Sequence, residues 1–79
     1  MRIDYILKAA AKRVARSGVT FDINRSLPTV SITGRGVDVF MQGGDAEEFV
    51  AECEAMSARC ESLDFHTIAM ALAEPYTEL

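Results

Sequence analysis

The sequence predicts an α+β domain: a three-stranded antiparallel β-meander with helices packed on one face, in the order α-β-β-β-α-α. Three observations carry that prediction. Between Val19 and Gln42, apolar and polar residues alternate in three short runs separated by turn residues, the period of half-buried strands. On either side the apolar spacing changes to three and four residues, the period of amphipathic helices. The second and third runs are joined by Gly34-Arg35-Gly36, with glycines where a tight hairpin needs positive φ.

The first helix is expected over residues 3–17, where Ile3, Leu7, Ala10 and Val14 form an apolar stripe with Ile6 beside them. Ile3, Tyr5 and Leu7 also alternate as a strand would, but the alanines at 9–11 favour helix. Ser17-Gly18 is a suitable stop. Strands follow from Val19 to Asn24, from Thr29 (TVSIT) and from Val37 (VDVFMQ), with Pro28 placed just ahead of the second. Val19, Phe21, Ile23, Val30, Ile32, Val37, Val39 and Met41 share one face. The other face is polar except for Phe40, which is either an exposed anchor or covered by the first helix, itself expected near a sheet edge.

Gly43-Gly44 then releases the chain into a second helix from Asp45 to about Cys60, with Asp45 as cap and Glu48 completing a capping box. Its inward stripe is Ala46, Phe49, Val50, Cys53, Met56 and Cys60. Asp64 caps a third helix reaching about Ala73, with Phe65, Ile68, Ala69 and Leu72 inward and His66 and Met70 pointing elsewhere. Glu74-Pro75 is expected to end it.

Residues 1–79 make a single domain, and a chain this short buries only ~60% of its unfolded surface. That leaves limited room for an enclosed substrate pocket and makes self-association, for example as a homodimer, a natural way to bury more. An apolar share of 49% and a charged share of 25% fit an ordinary globular chain rather than a disordered one. Asp4 and Lys8 interrupt the opening segment, so it has no signal-peptide core, and no run is long enough to span a membrane. A cytoplasmic protein is expected. Cys53 and Cys60 stand roughly 10 Å apart along one helix at ~1.5 Å per residue, too far for a disulfide. They read as reduced, buried, small apolar side chains. Two cysteines and a lone histidine fall short of a zinc site, so no metal or cofactor is expected.

The net charge of −4 conceals a division: residues 1–36 carry seven bases against two acids, and residues 37–79 carry one base against ten acids. Lys8, Lys12, Arg13 and Arg16 on the first helix could track phosphates, although the negative total charge weighs against nucleic acid. On the second helix, Asp45, Glu47 and Glu48 complement the dipole at its start, but Glu52, Glu54 and Glu61 do not. Either the basic first helix neutralises them or they await a basic partner. Gly43-Gly44 would form a poor phosphate cradle, because Asp45, Glu47 and Glu48 repel an anion. Cys60, Asp64 and His66 are close in sequence, but nothing in the sequence places them around a pocket, and no enzymatic activity is expected.

In size, in its acidic helix and in the segments VDVFMQGGDAEEFVAE and ALAEPY, the chain resembles the small acidic proteins encoded by bacteriophages and mobile elements, of the anti-CRISPR inhibitor type. The resemblance implies a protein that blocks a host nucleic-acid-binding or defence protein. The expected function is therefore a non-enzymatic module that binds a basic protein surface through Glu47, Glu52, Glu54 and Glu61, with Phe40 as an apolar anchor. Two alternatives stand beside it: a small nucleic-acid-binding protein using the basic first helix, and a self-associating structural accessory protein.

Overall fold

A computed structural model describes residues 2–78. Its order is α1 (Ile3–Arg16), β1 (Thr20–Asn24), β2 (Thr29–Gly34), β3 (Val37–Gln42), α2 (Gly43–Arg59) and α3 (Phe65–Ala73), closed by a 3₁₀ turn at Glu74–Thr77. The strands form one antiparallel sheet in the order β1-β2-β3. Its register pairs Phe21 with Ile32, Ile23 with Val30, Val30 with Met41 and Ile32 with Val39. These pairs place the apolar side chains on a common face, because alternate residues of a strand point the same way.

The β2–β3 hairpin closes as the glycines require. Gly34 pairs with Val37, leaving Arg35 (φ 55) and Gly36 (φ 86) as a two-residue turn with both central residues left-handed. In the β1–β2 connection, Asn24 Oδ1 accepts from the amides of Ser26 and Leu27, so the side chain holds the turn.

Helix α2 packs across β2 and β3, and α3 packs against both α2 and α1. Val30, Ile32, Phe49, Cys53, Cys60, Ile68 and Ala69 all belong to one buried core. Both cysteines are free thiols within it. Asp64 caps α3 as its sequence position suggests, with Oδ1 accepting from the Thr67 amide at 2.7 Å. Among the described residues no helix is long and apolar enough to cross a membrane.

Three expectations need correction. Helix α2 begins at Gly43, and its cap position is Gln42, which makes no side-chain capping bond. Gly43 (φ 59) absorbs the change of direction out of β3 in a single residue, so Asp45 lands inside the first turn and the capping box with Glu48 does not form. Helix α1 lies on α3 rather than over a sheet edge or Phe40; a buried stripe says that a helix packs, not against what. Ile6 lies 48% exposed at the side of the α1 stripe. Helix α3 ends at Ala73 as expected, with Glu74 (φ −52, ψ −44) as its C-cap, and the chain continues through Pro75 as a 3₁₀ turn. Proline costs little there, since the first residues of a new helical turn need no amide partner.

Candidate partner-binding surface

Seventeen residues of α2 put its core-facing stripe along Ala46, Phe49, Val50 and Cys53, which leaves two flanks for its carboxylates. Successive residues turn about 100°, so Glu47 and Glu52 lie about 140° apart and belong to different flanks. On one flank Asp45, Glu48 and Glu52 recur at three- and four-residue spacing. They line a cleft of about 280 Å³ together with Met41, Phe49 and Tyr76. Tyr76 is brought there by the 3₁₀ turn and sits edge-to-face on Phe49, with ring centroids 6.2 Å apart. The cleft thus joins a carboxylate rim to an apolar floor.

On the other flank Glu54 is held: Arg25 Nη2 donates to its Oε2 at 2.8 Å, while the same guanidinium lies 3.9 Å over the Phe65 ring. Arg25 therefore ties the β1–β2 turn to α2 and to the start of α3, combining a charge pair with a cation–π contact. Glu47 on α2 and Glu61 in the turn beyond it are exposed, and neither forms an ion pair among the described residues; nor do Asp45, Glu48 and Glu52. Phe40 is 59% exposed on the helix-free face of the sheet, opposite Ser31 in the register. Glu47, Glu52, Glu54, Glu61 and Phe40 consequently do not form one surface. The structure keeps Glu52, removes Glu54 by pairing, and sets Phe40 on a different face.

Asp45, Glu48 and Tyr76 complete the acidic cleft. The first two looked like helix-start residues, and the tyrosine lay beyond the expected last helix. The usable signal was the spacing 45, 48, 52, which is one helical row. Among the described residues, no three His, Cys, Asp or Glu side chains converge closely enough to hold a metal ion. The carboxylates are instead spread along one flank of α2.

On α1, Lys8, Lys12 and Arg16 are exposed without an ion-pair partner among the described residues, whereas Arg13 is clamped to Glu74 by two hydrogen bonds. That pair holds the Glu74 carboxyl below its usual range and raises the Arg13 guanidinium. Helix α1 thus spends one cation on the end of α3 and none on α2. Cys60 is buried, Asp64 is engaged in capping, and His66 is exposed and edge-on to Phe21 at 5.7 Å; none of the three lines the acidic cleft.

Comparison with protein-family models, curated protein sequences and solved structures finds no match to this chain.

Proposed function

We propose that the protein is a non-enzymatic binding module that docks the acidic flank of α2 onto a basic surface of a partner protein. The observation that carries this reading is the row Asp45, Glu48 and Glu52, which has no ion-pair partner among the described residues and rims an apolar floor. Lysine and arginine fit such a site in both parts: the charged head meets the carboxylates, and the aliphatic stem lies on Tyr76, above the buried Met41 and Phe49. Leaving like charges at four-residue spacing costs a few tenths of a kcal/mol (about 0.2–0.5) per pair, a cost that a basic partner removes.

A surface of this sign and density also occupies sites built for phosphates. An inhibitor that blocks a nucleic-acid-binding or defence protein of a host cell is the form of the module that its chemistry favours, in keeping with the phage-type resemblance. Affinity capture from a bacterial lysate at low and high salt tests the reading. The expected outcome is a basic protein retained at low salt, weakened by salt, and lost when Glu48 and Glu52 are both replaced by lysine. A partner that stays bound through that reversal, and through the reversal of Glu47, Glu54 and Glu61, would sink it.

A second reading rests on the row Lys8, Lys12 and Arg16 with Tyr5 exposed beside it, an arrangement suited to phosphates and a stacked base. It requires a mobility shift at about 50 mM salt that disappears when the three bases become alanine.

A further inference from the structure

The outward face of α1 is unusual for a helix packed in a small core. Tyr5 is 75% exposed, and with Arg2, Ile6 and Ala9 it borders an open apolar hollow of about 500 Å³. Beside this hollow run the cations: Lys8 and Lys12 line a second depression of about 390 Å³ that also includes Tyr5, and Arg16 continues the same four-residue spacing. The apolar hollow adjoins a depression in which Lys8 and Lys12 lie with Asp4, itself paired with Arg2, and the two together call for a counterpart with apolar side chains and carboxylates. A phosphate backbone supplies only the charge.

The molecule itself carries that counterpart. On α2, Glu48 and Glu52 repeat at the same four-residue interval as Lys8 and Lys12, so both rows have a rise of about 6 Å per step. Tyr76 beside the carboxylates corresponds to Tyr5 beside the cations, while Met41 lies buried beneath it. Within one chain the rows are kept apart, because α3 packs against both helices and takes only Arg13 from α1 through the Glu74 pair that follows it.

We propose that the α1 face of one copy docks on the α2 acidic flank of a second copy, pairing Lys8 and Lys12 with Glu48 and Glu52. This inference rests on the reading of the α2 flank as a docking surface and names one basic partner for it. Pairing α1 with α1 would oppose like charges, so α1 meets α2: the contact is isologous and closes as a dimer if the two copies exchange it reciprocally, and is otherwise heterologous and continues as a chain.

Sedimentation at about 0.5 mM protein, enough to populate an association near 1 mM, tests it at low and at high salt. The wild type is expected to gain mass with concentration at low salt and to lose that mass several-fold as salt rises. Lys8→Glu with Lys12→Glu, and separately Glu48→Lys with Glu52→Lys, each give a monomer. Mixing the two double variants sets the intact basic face against the intact acidic flank and the two sign-reversed faces against each other, so association is restored. Circular dichroism checks that both variants are folded, and the salt response of the wild type needs no variant at all. A wild type monomeric at both salts overturns the proposal, as does association indifferent to salt or a mixture that stays monomeric. Capture of an oligonucleotide by α1 without self-association overturns it in favour of nucleic acid. If the chain is monomeric yet the Glu48/Glu52 reversal releases a lysate protein, this inference fails while the proposed function stands.

Discussion

Cys53 is fully buried on α2, and removal from water, reinforced by the charges of Glu52 and Glu54, pushes its thiol up to about 11. At pH 8 about one molecule in a thousand then carries the thiolate that reacts with alkylating or disulfide reagents. The folded protein is expected to resist such reagents, with Cys53 becoming reactive along the denaturant unfolding curve; rapid labelling without denaturant would show that the core opens locally. Two carboxyls move the other way. Hydrogen bonding by the Thr67 side chain, with its amide, holds Asp64 below the usual range, and the Arg13 guanidinium does the same for Glu74. A carboxyl depressed in the folded state contributes stability that is complete above its unfolded value and is lost as pH falls through the depressed one. The melting temperature should therefore be level from neutrality to about pH 5 and fall below about pH 4. Asp64→Ala should lower it by a few degrees at neutral pH and flatten the acid fall, read from thermal melts across pH.

The strands and the cap on α3 were legible because their causes are local. Alternation fixes which side of a strand is apolar, and Asp64 satisfies an amide three residues ahead. The start of α2 was not legible in the same way: an aspartate suits either the cap or the first turn, and the choice was made by Gly43, whose positive φ begins the helix early. The hairpin and the helix start respond to alanine with opposite signs. Gly36 sits at φ 86, so Gly36→Ala should cost about 1–2 kcal/mol in denaturant unfolding. Gly44 lies within α2, and a Cβ there meets nothing within 4 Å, so Gly44→Ala should gain about 0.4–1 kcal/mol by restricting the unfolded chain.

For the whole molecule, the pattern of each helix showed a buried stripe but could not say which neighbour covers it, so the stacking of α1 on α3 went unread. The charge division was visible in the sequence; its persistence as separate surfaces, with Arg25 and Arg13 making the only long-range ion pairs among the described residues, required the fold. Ile68 is fully enclosed on α3, and Ile68→Ala should cost about 2–5 kcal/mol, against about 0.5–1.5 for the milder Ile68→Val. The first is a large share of the ~5–15 kcal/mol that holds a typical domain together, and equilibrium unfolding measures both. Glu48→Gln with Glu52→Gln should behave differently, raising the melting temperature slightly by relieving repulsion while weakening partner capture. The molecule measures 32 × 26 × 16 Å, and in α3, which touches both other helices, Ala69, Ala71 and Ala73 are all buried. Methyl groups are thus the spacers where α3 meets its neighbours. A leucine at any of them would act as a wedge, prising neighbouring layers apart and disturbing the alignment between the positive and negative sides without touching a single charge.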